Sequence, residues 1–406
     1  MEKRLARRVS RTAQSGLGNV FAASNPNLIS FAAGFPAEDL FPKAALKKAF
    51  SDIFDRPGND TLQYHDSLGL KSLREKIARH LNQTGTPAHA DQLMLTQGAQ
   101  QGIDLVARLV LDPGDGLAVE APTYIGALAS FDAYEPTYYE IPVAADGLDT
   151  TQLQKTLLQH DIKLLYTIPD YQNPTGTVMS LSKRQTLIQL AERYNFIILE
   201  DSPYRDLTYD QHTLPSLKSL DTNGRVINLG SFSKILAPGL RLGWLTAETE
   251  LFDNLVELKA GSDVETSSVI MQGVNTYLDQ NDLDAHIQVI RDSYTQKMNA
   301  MLTALQQEMP NQIHYNTPTG GFFIWLTAPT QIDMGQLLIK RMMPEGNVSY
   351  VPAKNLFPSK QHNNAARLNF TGQSIPNIYE GIHRMATILR SELTHVEQPM
   401  YAAFNR

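Results

Sequence analysis

The sequence predicts an α/β protein: a large domain on a mostly parallel sheet, joined to a smaller α+β domain. Three observations carry that reading. Between residues 93 and 231, short apolar runs alternate with segments of helical spacing, the pattern of strand–helix–strand units. From about residue 285 the alternation gives way to long helices separated by isolated strands. The 406 residues, 42% of them hydrophobic, supply a core for more than one layer of structure. The expected division is 46–284 for the large domain, with 1–45 and 285–406 forming the smaller one.

Residues 1–45 read as an arm. Its start carries Lys3, Arg4, Arg7, Arg8 and Arg11 with no apolar run behind them, so it is not a secretory signal. A basic amphipathic arm packed on the body is expected, with an Arg-rich transit peptide as the alternative. Phe31 to Pro36 and Phe41-Pro42 are Gly/Pro punctuation. Leu70, Leu73, Ile77 and Leu81 have helical spacing. Leu93–Leu95 is a strand, and Gly98-Ala99-Gln100 opens a helix carrying Ile103, Val106, Leu109 and Val110. Leu117–Val119 is the next strand, with a helix opening at Tyr124, and Tyr138–Ile141 is another. Lys163–Thr167, Phe196–Leu199 and Val226–Leu229 are short apolar runs of the kind buried on both faces, with a helix from Ser180/Ser182 between the first two. Beyond lie a helix over Ile287–Met309, strands over Pro318–Trp325, Val348–Val351 and Arg367–Phe370, and a last helix through Leu389. The tail after Leu393 shows no period.

Composition excludes several function classes. A formal charge of -7 offers no general attraction for nucleic acid or anionic lipid. No run approaches the roughly 18 apolar residues of a membrane span. The chain has no cysteine, which removes disulfides, thiolate catalysis and Cys-ligated metals and suits a reducing cytoplasm. Neither H-E-x-x-H nor a Walker-type phosphate loop occurs, and no metal site is expected.

The chemistry gathers around Ser231-Phe-Ser233-Lys234-Ile-Leu-Ala-Pro-Gly-Leu-Arg241. A lysine in apolar surroundings is desolvated, its neutral form is favoured, and it becomes a nucleophile toward a carbonyl. Two hydroxyls and a guanidinium beside it can hold a phosphate. Together they describe a pyridoxal 5′-phosphate site; taken alone, the stretch equally describes a buried turn whose lysine reaches solvent. Four further segments lie at strand ends, where open α/β sheets bind ligands. Gly98, Ala99 and Gln100 offer free N–H groups at a helix start. Tyr124 offers a flat ring, though alone it fits a core tyrosine as well. Asn173, in Gln-Asn-Pro-Thr-Gly, can donate to a phenolate oxygen, and Asp201, in Glu-Asp-Ser-Pro-Tyr204, can hold a pyridine nitrogen protonated.

In this combination, order and spacing the chain resembles a fold-type I pyridoxal-phosphate-dependent aminotransferase of the class I/II superfamily. The branch is that of the 2-aminoadipate, kynurenine and aromatic aminotransferases and the catalytic parts of MocR-type regulators. The likeness runs from about Ile29 to Leu389. It implies that Lys234 holds the cofactor covalently and then moves the proton between substrate and cofactor. Asp201 would pair with the pyridine nitrogen, Asn173 and Tyr204 hold the ring oxygen, and Tyr124 stacks. Ala99, Gln100, Ser231, Ser233 and Arg241 would hold the phosphate; Ala99, often serine in the family, could do so only through its backbone. Tyr64 matches a tyrosine that reaches the neighbouring subunit's phosphate, which implies a homodimer with shared sites. Arg367 matches the grip on the substrate α-carboxylate, and Gly34 lines the substrate pocket.

Two departures stand out. The family's V-x-P-G-x-x-F becomes Val351-Pro-Ala-Lys-Asn-Leu-Phe357, so that loop is expected to differ. Dicarboxylate-using relatives carry an arginine in S-x-I-R-E, where this arm has Ser15-Gly-Leu17-Gly18-Asn19. An unpaired buried carboxylate is costly, and Leu17, Val20 and Phe21 suit an apolar wall, with packing of the arm onto the body as the alternative. Aromatic or branched-chain donors are therefore expected, with a 2-oxo acid as acceptor; a cation from Arg7, Arg8 or Arg11 would admit diacids. A β-lyase or decarboxylase on the same cofactor is the alternative. A PLP-sensing regulator is disfavoured, because too few residues precede Ile29 for a DNA-binding domain.

Overall fold

The computed structural model describes residues 6, 8, 9, 27–210 and 213–404, with the backbone alone beyond residue 394. The arm positions Leu17, Gly18, Val20 and Phe21, and Arg7 and Arg11, lie outside the described residues. Strand β1 (Ile29–Ser30) is followed by β2 (Leu93–Thr96), β3 (Gly116–Ala121), β4 (Thr137–Ala144) and β5 (Gly147–Leu148). Then come β6 (Leu164–Thr167), β7 (Ile197–Asp201), β8 (Val226–Ser231) and β9 (Gly243–Thr246). Strands β2 to β9 form one sheet in the order β2-β9-β8-β7-β6-β3-β4-β5. Neighbours from β8 across to β4 are parallel, while β9 is antiparallel to β2 and β8, and β5 to β4. Every residue of β2, β6, β8 and β9 is buried. Helices cover both faces, which is why β2, β6 and β8 read as largely apolar runs; β9 went unread.

The expected elements are present, with shifts at their ends. The helices lie over Lys71–Gln83, Ala99–Val110, Ile125–Phe131 and Leu181–Tyr194. Among the helices that the sequence left unread, Lys43–Phe54 and Thr150–Leu157 included, Thr249–Asp263 and Ser268–Gln280 pack beside them. Thr249–Asp263 hides because its inner face includes Lys259, fully buried and joined to Asp263 at 2.8 Å, which breaks the apolar spacing.

A second sheet, β10 (His314–Tyr315), β11 (Phe323–Thr327), β14 (Ala365–Asn369) and β13 (Val351–Pro352), is antiparallel in that order. The single strand expected over Val348–Val351 divides in two. Its first half, β12 (Val348–Ser349), pairs in parallel with β1, Ile29 opposite Val348, and only β13 joins the sheet. The strand expected from Pro318 begins at Phe323, because Gly320 lies against Tyr171: a Cβ there would stand 2.3 Å from its ring. The helices Leu283–Glu308 and Ile375–Phe404 pack on each other, and the second runs through the tail that showed no period. Among the described residues no helix is long and apolar enough to cross a membrane.

One buried ion cluster ties the β6–β7 region together. Asp170 accepts from Arg184 at 2.5 Å and from Arg205 at 2.8 Å, all three side chains nearly inaccessible. Burial works against the charge on Asp170, but the two guanidiniums prevail and hold it below the usual carboxylate range. Asp170→Asn removes the carboxylate to which both buried guanidiniums donate. The expected loss is about 3–5 kcal/mol, read in urea unfolding as a lower midpoint at unchanged slope; an unchanged midpoint would remove this cluster from the fold's supports.

Candidate active site

The parallel strands end on one side of the large sheet, and their C-terminal ends deliver the expected side chains to one cavity of about 370 Å³. Tyr124 follows β3, Asn173 follows β6, Asp201 ends β7, and Ser231, Ser233 and Lys234 lie at and just beyond the end of β8. Gly34, Ala99, Gln100, Tyr204, Arg241 and Arg367 complete this part of the wall. Gly98 stands just behind: its φ of +73° suits glycine, and a Cβ there would meet the Arg241 guanidinium at 2.6 Å. Tyr64 is apart from the cavity and 75% exposed.

Lys234 faces the cavity and donates to the Gly34 carbonyl at 3.0 Å. Burial first, then the charges of Arg367 and Arg241, pull its amine down to about 8, against the opposing pull of Asp201. Asp201 moves the other way. Burial raises it to about 6, resisted by a hydrogen bond from Tyr166 and the charge of Lys234. Its Oδ2 accepts from the Tyr166 hydroxyl at 2.7 Å, while Oδ1, also buried, has no partner among the described residues. A buried carboxylate oxygen without a donor is a costly arrangement, and a protonated ring nitrogen would answer it.

The same wall carries donors suited to a phosphate. The Ser231 and Ser233 hydroxyls are 2.9 Å apart, and Arg241 adopts a left-handed turn (φ +48°) after Pro238–Leu240. The helix Ala99–Val110 points its N-terminus there, with a positive dipole end and free N–H groups. Gln100 is placed differently from a simple phosphate ligand. Its amide donates to the Gly126 carbonyl at 2.6 Å and to Ser130 at 2.7 Å, so its contribution to an anion is its backbone N–H. Its side-chain oxygen accepts from the Tyr124 hydroxyl at 3.4 Å, which makes it a brace for the ring.

Arg367 lies 4.3 Å over the Phe323 ring and donates to Asn173 Oδ1 at 2.9 Å and the Ala32 carbonyl at 2.6 Å. Its Nε is buried with no partner among the described residues, and burial lowers the group to about 10. Asn173 also donates to Tyr204 at 3.4 Å. The altered loop after Val351 forms a 3₁₀ turn, Ala353–Leu356, whose Leu356 carbonyl holds the Thr123 N–H at 2.8 Å, next to Tyr124.

Sequence reasoning missed the groups behind the wall. Glu120 is buried, raised by burial to about 7, and accepts from Thr167 at 2.6 Å, Gln172 at 3.0 Å and the Ile168 N–H at 3.2 Å. Gln172 in turn donates to the Pro122 carbonyl at 2.8 Å, tying the Tyr124 loop to the Asn173 loop. Tyr166 was read only as part of a strand. A phenol inside a fully buried aliphatic strand needs a partner, and that signal was available.

An amine able to attack a carbonyl, an acid with one free oxygen, a flat ring and an anion cradle fit pyridoxal 5′-phosphate. Comparison with known proteins agrees. Residues 26–384 match the family model described as aminotransferase class I and II. The chain is 36% identical to aromatic-amino-acid aminotransferase 1 of Thermococcus litoralis over 373 residues, 90% of this chain and 89% of that protein. A kynurenine aminotransferase structure from Pyrococcus horikoshii, in complex with PMP, superposes with a TM-score of 0.90 at 35% identity, covering 97% of this chain and 98% of that one. An α-aminoadipate aminotransferase structure from Thermus thermophilus, complexed with N-(5′-phosphopyridoxyl)-L-leucine, gives 0.90 at 32% identity, covering 97% and 99%. The chain belongs to the aminotransferase class I and II family and is a pyridoxal 5′-phosphate-dependent aminotransferase, exchanging amino groups between amino acids and 2-oxo acids.

Proposed function

We propose that the amino donors are aromatic or branched-chain L-amino acids, with a 2-oxo acid as acceptor. The observation that carries this is the cavity wall. Its cations among the described residues are Lys234, Arg241 and Arg367, each committed to other work, while Phe35, Ile103, Ile125 and Ile168 add apolar surface. Arg8, one of the arm cations considered for a distal carboxylate, is exposed and does not line the cavity. A similar protein acts on aromatic amino acids and another on α-aminoadipate by their names, so both classes belong in the test.

Bound pyridoxal 5′-phosphate supplies an aldehyde carbon for condensation with amines and a protonated ring that draws electrons from the substrate's α-carbon. The residues we assign do the rest. Asp201 holds the ring nitrogen's proton through Oδ1, and Asn173 and Tyr204 donate to the ring oxygen. Tyr124, braced by Gln100, covers one ring face. Ser231, Ser233, Arg241 and the N–H groups of Ala99 and Gln100, reached past Gly98, hold the phosphate. Arg367 grips the substrate α-carboxylate as a planar fork, and Gly34 leaves room beside it. Lys234 is the covalent anchor and then carries a proton at the α-carbon. Gripping the carboxylate favours transamination over its loss, which is why the decarboxylase reading ranks second.

The reading extends to assembly, division and setting. We assign 46–284 to a large cofactor-binding domain and 1–45 with 285–406 to a smaller one; the β1–β12 pairing supports attaching the arm to the latter. The exposed Tyr64 supports a homodimer in which it completes the neighbour's phosphate site. A cytoplasmic setting rests on the cysteine-free composition and is checked by fractionating cells that express the chain.

The donor ratio is the main test: kcat/KM for phenylalanine, tyrosine or leucine is expected to exceed that for 2-aminoadipate or aspartate, and the reverse order would overturn the substrate class. In the same panel Arg367→Lys is expected to lose about 2–5 kcal/mol of transition-state binding for every donor. Cofactor uptake tests Lys234. Only the neutral amine attacks, so uptake of pyridoxal 5′-phosphate by cofactor-free protein should rise about tenfold per pH unit below its pKa. It should level off above about 8; a rise continuing to pH 10 would mark an ordinary lysine. Tyr64→Phe is expected to retain cofactor less well during gel filtration, and activity should fall on dilution; a fully active monomer contradicts the shared site.

A further inference from the structure

Tyr166 lies on β6, between β3 and β7. Its register partner on β7 is Leu199, so Asp201 is two residues along on the same face, within diagonal reach of a long side chain. The Phe131 ring packs edge-on against it at 5.5 Å and fixes its plane. Tyr166 is wholly inaccessible and Asp201 3% exposed, and the hydroxyl meets Oδ2 at 2.7 Å. Phenylalanine would fill the same space without a hydroxyl to desolvate. What the oxygen adds is one donor to Asp201.

We propose that Tyr166 is a positioning residue for the pyridine nitrogen: its hydroxyl occupies Oδ2 of Asp201 and leaves Oδ1 as the single acceptor facing the cavity. This rests on the reading that Asp201 pairs with that nitrogen. Two effects follow from one bond. Rotation of the carboxylate is blocked, so the acceptor direction is set before any ring arrives. The bond also favours the ionised carboxylate against the burial that raises it. The other titratable groups near enough to feel Asp201's charge are Lys234, Tyr124, Tyr204 and Glu120. None of them hydrogen-bonds to it among the described residues.

The test is an absorbance titration of the holoenzyme. Without the Tyr166 bond Asp201 is more basic and takes more of the shared proton. The ring withdraws fewer electrons, and the pH midpoint of the bound cofactor's colour change rises. For Tyr166→Phe the expected rise is about one unit, with kcat down roughly tenfold, as for loss of an outer partner of an active-site ligand. KM for the amino donor should change by less than about twofold. Incorporating 3-fluorotyrosine at position 166 keeps the fold and strengthens the donor, so the midpoint should fall. Asp201→Asn separates the two claims. If it moves the midpoint while both Tyr166 variants leave it in place, the Tyr166 role is overturned. If Asp201→Asn itself leaves the midpoint in place, the pairing of Asp201 with the ring is what fails.

Discussion

Among the ionisable side chains lining the cavity, Lys234, Asp201 and Arg367 are shifted in their titration and make no ion pair among the described residues. Burial is the largest influence on each, and none has a counter-charge at ion-pair distance among the described residues, so each group shifts toward its neutral form. Such an arrangement does not stabilise a fold; unpaired buried charge costs free energy. It persists because the surrounding structure holds it. Parallel strands buried on both faces end at the cavity. The Asp170 ion cluster and the Glu120–Gln172 bridge fasten the loops that carry Tyr124 and Asn173. A ligand that supplies a proton to Asp201, a carbonyl to Lys234 and a carboxylate to Arg367 relieves all three costs, so binding and stability are coupled in this site.

The same logic explains how loops of ordinary composition become precise. Gln172 has two N–H donors and one oxygen, and all are used: Glu120 and Pro122 accept, and both the N–H and hydroxyl of Thr175 donate. A fully satisfied amide has one orientation. Asn173, its neighbour, inherits that fixity and passes it to Arg367 through the 2.9 Å bond. Gln100 does the corresponding work for Tyr124.

Much of this was legible in the sequence because two independent signals coincided. Strands such as Val226–Ser231 are buried throughout and mostly apolar because they lie inside a parallel sheet, and the polar residues that follow stand out against them. Lys234, Asp201 and Asn173 were found that way. What stayed hidden depends on contacts between distant segments. Glu120 looks like one acid in a strand until Gln172 is folded against it. The helix Thr249–Asp263 conceals a buried lysine whose partner lies one turn away. The split of Val348–Val351 between two partners follows from where β1 arrives, which local spacing does not encode.

The segment after β1 is built as a row of carbonyls read by the site. Phe31 accepts from the Asn369 N–H, Ala32 from Arg367, Ala33 from the Asn369 amide, and Gly34 from Lys234; Phe35 accepts from Thr371. Four of these five attachments reach it from strand β14 and the residues just past it. The fifth comes from the lysine alone, across from the large sheet. Residues 31–35 therefore keep four ties to the small sheet whatever Lys234 does, and of these five bonds only the lysine's crosses from the large sheet, so the two sheets meet at Gly34 through the reactive amine itself.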